Sequence, residues 1–285
     1  MHTAVSLFSG AGGLDLGFKN ADFDIVFAND ILEDAATTYA QNFGMKIETD
    51  NSDFAAEKGV AYVGDVENVD FSGLAEHDID TVIGGPPCQD FSIVRGPGWD
   101  RRGIEVKRGR LYAQFVRALA VIQPKTFMFE NVPGLISANE GLAYKTILED
   151  FSNLALRWKE IKQEVRVARN GGTPHGYELM LSSPIDFADF GVPQRRERLI
   201  IIGVRKDVAG GFEVQARMRS YLQKALNGFT FRMYPLTPIE AFEGKPLPEL
   251  QDRYADVMKE WNGVWSEVDT QAAGEWRSRV WDKLT

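Results

Sequence analysis

TAVSLF (Thr3–Phe8) and SGAGG (Ser9–Gly13) are adjacent in this chain and together decide its fold. An apolar run that ends at clustered glycines predicts a strand that turns sharply into a helix. LDLGFKNA (Leu14–Ala21) follows as the helix, and DIVFAND (Asp24–Asp30) is a second apolar run. This order of strand, glycine turn, helix and strand is typical of the opening of a parallel α/β sheet.

Further apolar runs continue the pattern. Four more strands are predicted, at AYVGD (Ala61–Asp65), IDTVIGG (Ile79–Gly85), TFMFENV (Thr126–Val132) and RLIIIGV (Arg198–Val204). Helices are predicted at Glu33–Asn42, Gly109–Ile122 and Tyr144–Trp158. Because the strands are apolar along their whole length, we expect an α/β fold with a mostly parallel central sheet and helices on both faces.

The composition is that of a globular protein. The 285 residues are 44% hydrophobic and 26% charged, which argues against disordered, collagen-like and coiled-coil chains. The single cysteine, Cys88, excludes an intramolecular disulfide and a Cys-rich zinc site, and we expect no metal. No apolar run approaches the roughly 20 residues of a membrane helix and no signal peptide opens the chain, so we expect a cytoplasmic protein without a membrane partner.

Charge is distributed unevenly along the chain. The formal net charge is −9, but residues 1–94 hold 3 Lys/Arg against 17 Asp/Glu, whereas residues 95–205 hold 18 against 12. Binding of a polyanion depends on a local basic surface rather than on the total charge. The middle third is therefore where we expect phosphate contacts.

The glycine turn and two acidic strand ends predict a cofactor site. Asp30 ends the second strand, 20 residues after Gly10, and Asp65 ends the next predicted strand. A glycine turn lets a ligand approach the backbone, and such a carboxylate can accept hydrogen bonds from ribose hydroxyls. A dinucleotide and S-adenosylmethionine both fit, as does a turn that binds nothing. The acidic first third favours S-adenosylmethionine, which is cationic.

Cys88 follows a predicted sheet strand directly, in GGPPCQDFS (Gly84–Ser92). A thiol at the carboxyl end of a parallel strand lies where α/β folds bind ligands. The two prolines before it fix the local backbone, and no apolar residue follows it directly. We therefore favour an exposed nucleophile over a small buried core residue.

Four motifs in register resemble those of the cytosine-C5 DNA methyltransferase family. They are FSGAGG, GGPPCQDFS, FENVPGL and QRRERLIIIGVR, and the resemblance covers residues 3–205. It implies a Rossmann-like, S-adenosylmethionine-dependent methyltransferase fold. It also implies methyl transfer to carbon 5 of a cytosine flipped out of duplex DNA, the reaction of restriction-modification systems.

The resemblance assigns four catalytic residues. The Cys88 thiolate adds to carbon 6 of cytosine, and Glu130 holds or protonates the ring nitrogen N3 and binds the exocyclic amine. Arg198 binds the carbonyl oxygen O2 and orients that carboxyl group. Arg196 steadies the phosphate backbone or the closed loop. A structural ion pair at a strand end remains the alternative for Glu130.

The resemblance also implies the cofactor contacts. Phe8 stacks on the adenine and Asp30 binds the ribose hydroxyls. Ile31 covers one adenine face, while Asp65 and Val66 meet the adenine edge. The complete expected set is Phe8, Gly10, Gly12, Gly13, Asp30, Ile31, Asp65, Val66, Gly85, Pro87 and Leu111.

A basic, glycine-containing segment predicts the DNA contacts. Residues 95–110 carry six Lys/Arg and two acids, with four glycines as hinges. Such a segment could close over a flipped duplex and shield the reaction from water, although a solvated surface loop is the alternative. The expected DNA-binding residues are Gln89, Ser92, Arg95, Arg101, Arg102 and Arg110.

The chain is expected to divide into a catalytic domain, residues 1–205, and a helical, proline-broken extension, residues 206–285. The extension is a candidate docking segment, in which Trp261, Trp265, Trp276 and Trp281 suggest an apolar face, or the start of an incomplete second domain. It is too short and too neutral to read the major groove. The chain is thus part of a split enzyme whose second chain supplies target recognition, a fragment, or a degenerate binder; intact Cys88, Glu130 and Arg198 favour the first two.

Two other functions stay open. One is a cytosine-C5 methyltransferase that acts on RNA, because the motifs define the base chemistry and not the polymer. The other is a non-catalytic subunit that binds S-adenosylmethionine or DNA. A dinucleotide oxidoreductase is a distant alternative, since it leaves Pro87-Cys88-Gln89 and Glu130-Asn131-Val132 unexplained.

Overall fold

The computed structural model describes residues 2–49, 59–87, 110–165 and 172–227. The chain begins with β1 (His2–Leu7), α1 (Gly13–Asn20) and β2 (Phe23–Asp30), and the two strands pair in parallel. Val5 and Leu7 of β1 are fully buried. The opening strand, turn, helix and strand predicted from the sequence are therefore confirmed.

The described residues form an eight-stranded sheet in the order β3-β4-β2-β1-β5-β6-β8-β7. The other strands are β3 (Lys46–Glu48), β4 (Val60–Val63), β5 (Thr81–Gly84), β6 (Thr126–Asn131), β7 (Tyr177–Asp186) and β8 (Glu197–Arg205). The other helices are α2 (Glu33–Phe43), α3 (Arg110–Ile122), α4 (Leu142–Ser152), α5 (Leu154–Glu164) and α6 (Phe212–Asn227). Strands β1 to β6 pair in parallel, and β8 runs antiparallel to β6.

Helices cover both faces of the sheet because alternate side chains of each strand point in opposite directions. Val5 and Leu7 pack into the large core that α3, α4 and α5 complete. Ala4 packs into a smaller core on the other face, together with Tyr39 and Ala40 of α2. Aromatic rings fill the larger core, where the ring centroids of Phe127 and Phe151 lie 4.5 Å apart.

Most of the predicted elements are present, with one wrong helix and two missed strands. The helix predicted over Tyr144–Trp158 is two helices, because Asn153 has φ −113° and ψ 30°, outside helical geometry, and its carbonyl begins the second helix. β3 was missed because it has three residues. β7 was missed because it lies at the sheet edge, where its half-buried side chains make no continuous apolar run.

The chain divides into two compact units. The first comprises Met1–Ser183 and Leu199–Arg219, and it contains most of the sheet. The second comprises Pro184–Arg198 together with the residues from Ser220 onward. The predicted boundary at residue 205 between a catalytic domain and an extension stays a prediction.

Candidate active site

A cavity of about 390 Å³ opens at the carboxyl ends of β1, β2, β4 and β5. This is the edge at which parallel α/β sheets bind ligands. Eight of the predicted cofactor residues line the cavity: Phe8, Asp30, Ile31, Asp65, Val66, Gly85, Pro87 and Leu111. Three further lining residues, Asn29, Leu32 and Gly64, were not predicted. These residues lie within two positions of Asp30 or Asp65 in the sequence. Their position at the same strand ends could have predicted that they line the cavity.

The glycine turn begins at Phe8, whose φ of 57° is uncommon for a residue with a bulky side chain. Gly12 has φ 93°, and a Cβ atom there would lie 2.5 Å from a ring carbon of Phe43. A side chain at this position would displace the rings of Phe43 and Tyr39 in α2. Gly10, Gly12 and Gly13 form the turn beside the cavity and are not among the residues that line it, so their contact with a cofactor stays a prediction.

Asp30 joins the turn to the cavity wall. Its Oδ2 accepts a 2.8 Å hydrogen bond from the Gly10 amide, and its Oδ1 accepts a 2.9 Å hydrogen bond from the Leu32 amide. A carboxylate has about four acceptor positions, so both oxygens can still accept hydrogen bonds from a ligand. Asp30 therefore stabilises the turn through its hydrogen bonds and also presents a carboxylate to the cavity.

Residues at the end of β4 form another part of the cavity wall. The Asn29 side chain, 1% exposed, donates hydrogen bonds to the carbonyls of Tyr62 at 3.2 Å and Gly64 at 2.9 Å. Asp65 Oδ1 accepts a 3.0 Å hydrogen bond from the Glu67 amide and so caps the 3₁₀ turn Val66–Asn68. These bonds fix the positions of Asp65 and Val66 at the cavity.

The cavity combines carboxylates with exposed apolar side chains. Asp30 and Asp65 both line it, and none of the described lining residues is Lys or Arg. Ile31 and Leu32 are 66% and 65% exposed, which is unusual for large aliphatic residues. The surface therefore suits a ligand that presents hydroxyl groups, a flat apolar ring and a positive charge, and it disfavours a pyrophosphate.

Glu130 lies next to this cavity across Gly85. A Cβ atom on Gly85 would be 2.8 Å from Glu130 Oε2, so the half-buried carboxyl group lies directly against that backbone. Parallel pairing of β5 with β6 produces this proximity, since Gly84 is paired with Phe129. Gly85 therefore separates the candidate cofactor cavity from the candidate catalytic carboxyl group.

Asn131 fixes the loop that leads toward Cys88. Its Nδ2 donates a 2.9 Å hydrogen bond to the Pro86 carbonyl, and its Oδ1 accepts a 2.9 Å hydrogen bond from the Val132 amide. The side chain is 3% exposed. Asn131 was not predicted as a site residue, although it belongs to the Glu-Asn-Val motif. The structure shows that its side-chain amide is buried at the end of β6, which the sequence alone does not reveal.

Several predicted residues fall outside the described ranges. These are Cys88, Gln89, Ser92, Arg95, Arg101, Arg102 and the four C-terminal tryptophans. Arg110 begins α3, but its side chain also lies outside what is described. The roles of these residues stay predictions.

Arg196 and Arg198 belong to the second unit. The Arg196 side chain is exposed, and its amide donates a 3.1 Å hydrogen bond to Asp186 Oδ1. Arg198 is half-buried and its Nη1 donates a 2.8 Å hydrogen bond to the Glu197 carbonyl. Their contacts with a base or a phosphate stay predictions.

Within the described ranges, no helix has the length and apolar character needed to cross a membrane. The same parts of the chain contain no group of three His, Cys, Asp or Glu side chains arranged to hold a metal ion.

Comparison with known proteins relates the whole chain to DNA methyltransferases. DNA (cytosine-5-)-methyltransferase M.ApeKI of Aeropyrum pernix is 58% identical over 290 residues, which cover 100% of this chain and 62% of that protein. Type II methyltransferase M.NgoFVII of Neisseria gonorrhoeae is 35% identical over 224 residues, covering 79% of this chain and 49% of that protein. The chain thus spans about half to three fifths of these relatives.

A solved structure and a family profile agree with these relatives. The crystal structure of a protein assigned as a DNA modification methyltransferase, encoded within an E. coli prophage, superposes with a TM-score of 0.53 at 26% identity. The match covers 86% of this chain and 56% of that one, and it confirms the predicted Rossmann-like methyltransferase fold. The profile of the C-5 cytosine-specific DNA methylases matches residues 2–227. This chain therefore belongs to the C-5 cytosine-specific DNA methylase family.

Proposed function

We propose that this chain is the catalytic part of an enzyme that transfers a methyl group from S-adenosylmethionine to carbon 5 of a cytosine flipped out of duplex DNA. The observation that carries the proposal is the position of Glu130, whose carboxyl group lies against Gly85 at the edge of an acidic cavity. A cofactor and a target base could then meet on the two sides of one glycine. Family membership supports the same reaction.

The cavity fits S-adenosylmethionine better than a dinucleotide. Asp30 and Asp65 would bind ribose and adenine polar groups, and Phe8, Ile31 and Leu32 would contact the flat adenine ring. The two carboxylates also favour the positive charge of the ligand, whereas a pyrophosphate would be repelled. When bound, S-adenosylmethionine supplies an electrophilic methyl group on a sulfonium.

Cys88 starts the proposed reaction. Its thiolate forms a bond to carbon 6 of cytosine, and the electron density of the ring moves toward carbon 5 and N3. Glu130 donates or shares a proton at N3 and stabilises this charge. Carbon 5 would then take the methyl group, and the electron pair of the broken carbon–sulfur bond would stay on the sulfur of the cofactor as a neutral thioether. A base would remove the carbon 5 proton, the bond between the Cys88 sulfur and carbon 6 would break to release the thiolate, and Glu130 would take back its proton from N3.

Two groups support this chemistry. Asn131 ties the end of β6, which carries Glu130, to Pro86, two residues before Cys88. This link between the strand of Glu130 and Pro86 supports the pairing of Glu130 with Cys88 in the proposed reaction. Arg198 would bind O2 of the base and orient Glu130, and Arg196 would steady the DNA backbone or the closed loop.

The basic segment of residues 95–110 is the proposed DNA contact, with Gln89 and Ser92 beside the nucleophile. Six Lys/Arg against two Asp/Glu within 16 residues make this segment locally basic in an acidic chain. Contacts of this kind bind phosphates and give affinity without sequence preference. DNA binding by this chain would then depend strongly on salt.

Choice of the target sequence is proposed to need polypeptide beyond these 285 residues. The alignment with M.ApeKI includes residues 206–285 and still leaves 38% of that relative without a counterpart, given its 62% coverage. A continuation of this chain or a second chain would supply the part that reads bases. The tryptophan-bearing segment is the candidate docking surface for it.

The test is methyl transfer together with covalent trapping. The chain is assayed alone and with candidate partner chains, using labelled S-adenosylmethionine, duplex DNA and tRNA. Duplex DNA that carries 5-fluorocytosine should form an adduct stable to denaturation, because fluorine cannot leave as a proton. The Cys88→Ser variant should form none and should still bind the cofactor.

Each outcome separates the candidates. Transfer to tRNA alone would favour the RNA enzyme, and cofactor binding without transfer to any polymer in any partner mixture would favour a non-catalytic subunit. An adduct formed by the Cys88→Ser variant would overturn the proposed nucleophile.

A further inference from the structure

A buried arginine lies behind the wall of the candidate cofactor cavity. Arg117 is in the middle of α3 and is 4% exposed. Its Nη2 donates a 2.7 Å hydrogen bond to the Val66 carbonyl, and its Nη1 donates a 2.8 Å hydrogen bond to the Val69 carbonyl. One guanidinium group thus holds both ends of the 3₁₀ turn Val66–Asn68, whose first residue lines the cavity.

The guanidinium group is itself held in place. Arg117 Cζ lies 4.3 Å from the centroid of the Phe71 ring, and Phe71 is 1% exposed. Burial lowers the pKa of Arg117 to about 10, and the carboxylates of Asp70, Glu67 and Asp65 oppose this shift. The side chain therefore keeps its positive charge at neutral pH, and its planar donors bind two carbonyls at once.

The burial of Arg117 against two backbone carbonyls has an energetic cost. A charge taken out of water is costly unless hydrogen bonds and nearby charges replace its hydration. An apolar residue at this position of α3 would avoid that cost, but it would leave the carbonyls of Val66 and Val69 without these donors. The arrangement secures a loop geometry that an apolar core could not.

We propose that Arg117 is a positioning residue for the cofactor: through Val66 and Val69 it sets the wall that presents Asp65 and Val66 to the cavity. The inference rests on the proposed S-adenosylmethionine site. Two supports then hold that wall, since the Asp65 carboxylate caps the start of the turn and Arg117 binds its carbonyls. Arg117 itself is not among the lining residues.

Positioning and direct electrostatics predict different effects on the binding of two ligands. S-adenosylmethionine carries a sulfonium charge, whereas S-adenosylhomocysteine has the same adenosine part and a neutral sulfur. If Arg117 acted through its charge, its removal would favour the cationic ligand over the neutral one. If it positions the wall, both ligands lose the same factor of affinity.

The experiment measures the Kd of both ligands by calorimetry for wild type, Arg117→Met and Arg117→Lys. We expect Kd to rise about tenfold or more for both ligands in Arg117→Met, which loses both donors. Arg117→Lys keeps the charge and one donor group, so it should recover part of the affinity and also serves if Arg117→Met does not fold. The KM for S-adenosylmethionine should rise, while kcat at saturating cofactor changes less than about twofold.

Arg205→Met is the matched control. Arg205 binds Asp207 and the Gln123 carbonyl beside the start of β6. The amino end of β6 is opposite to the strand ends at which the cavity opens. The Arg205→Met substitution should lower the melting temperature and leave the Kd of S-adenosylmethionine and of S-adenosylhomocysteine unchanged. Amide hydrogen exchange of residues 60–71 should be faster in Arg117→Met and unchanged in Arg205→Met.

Three outcomes would overturn the inference: unchanged Kd values in a folded Arg117→Met, a loss confined to one ligand, or an equal loss in Arg205→Met. Failure of the proposed function would look different, because wild type would then bind neither ligand.

Discussion

The Asn131 side chain donates a 2.9 Å hydrogen bond to the Pro86 carbonyl and joins the end of β6 to the loop that leads to Cys88. Replacing Asn131 with alanine should therefore misplace the proposed nucleophile relative to Glu130. We expect kcat to fall about 10- to 100-fold while the Kd of S-adenosylmethionine stays nearly unchanged. Steady-state kinetics and calorimetry measure the two effects. Ser137→Ala, which removes an exposed hydrogen bond to the Gly134 carbonyl, is the control. Equal kcat values for the two variants would contradict the prediction.

Gly12 and Gly13 are adjacent but should respond differently to alanine. A Cβ atom at Gly12 would approach Phe43 to 2.5 Å at a φ of 93°, whereas at Gly13 it would meet nothing within 4 Å. We expect Gly12→Ala to lower the free energy of unfolding by about 1–3 kcal/mol and to weaken cofactor binding. Gly13→Ala should stay within about 0.5 kcal/mol of wild type. Urea unfolding measures the free energy of unfolding of both variants. Similar decreases in Gly12→Ala and Gly13→Ala would argue against the turn geometry.

Glu130→Gln tests the proposed acid. The amide keeps the size of the side chain but cannot supply the same proton to N3, so kcat should fall about 100-fold or more. The affinity for the cofactor should not change, because Glu130 is not among the residues that line the cavity. Glu140→Gln, an exposed carboxyl group on the turn before α4, is the matched control. Full activity of Glu130→Gln would rule out the assigned role.

Asp15 should make the protein less stable as the pH rises. Burial raises the pKa of Asp15 above its ordinary 3.8, although Tyr39 donates a 2.9 Å hydrogen bond to it. Above pH 3.8 the unfolded chain releases this proton while the folded chain keeps it. Stability therefore falls by about 1.4 kcal/mol per pH unit until the raised pKa is passed. Urea unfolding from pH 4 to 8 should show this loss in wild type relative to Asp15→Asn.

Asp207 provides the opposite sign as a control. Hydrogen bonds from Arg205 lower the pKa of Asp207, so its contribution to stability is lost as the pH falls. Relative to Asp207→Asn, wild type should gain stability as the pH rises through the ordinary range of an aspartate. A wild-type curve parallel to that of Asp15→Asn would contradict the assignment of Asp15.

The salt dependence of DNA binding tests the basic segment. The double substitution Arg101→Gln with Arg102→Gln removes two positive charges. It should reduce the slope of log K for DNA binding against log salt concentration by about 2. The double variant Lys159→Gln with Lys162→Gln, on the exposed face of α5, should leave the slope unchanged. Fluorescence anisotropy at several salt concentrations measures it. A slope that is unaffected by Arg101 and Arg102 would leave the segment as a solvated loop.

The central strands and the acidic strand ends Asp30 and Asp65 could be predicted because their signals are local, whereas the other six predicted cavity residues came from the family resemblance. Continuous apolar runs mark buried strands, and Phe8, Asp30 and Asp65 each stand at the end of such a run. β7 gave no such signal, since an edge strand is only half-buried. The break at Asn153 was missed because the apolar pattern continues through it.

The supports of the site could not be predicted because they join distant parts of the chain. Arg117 and Val66 are 51 positions apart, and Asn131 and Pro86 are 45 apart. An arginine in an amphipathic helix is expected to face water, so nothing in its neighbours marks it as buried. Only the packing of α3 against the end of β4 reveals its partners.

The place of β1 in the sheet has a consequence for how the protein is made. β1 is synthesised before both of its neighbours, yet it lies between β2 and β5 and pairs with Thr81–Gly84 as well as with β2. Such non-local pairing closes a long loop, and the entropy lost in closing it precedes the stabilising contacts between the strands. This order slows folding. On the ribosome β1 must wait for β5, and the site at the end of β1 is completed only after β5 has emerged.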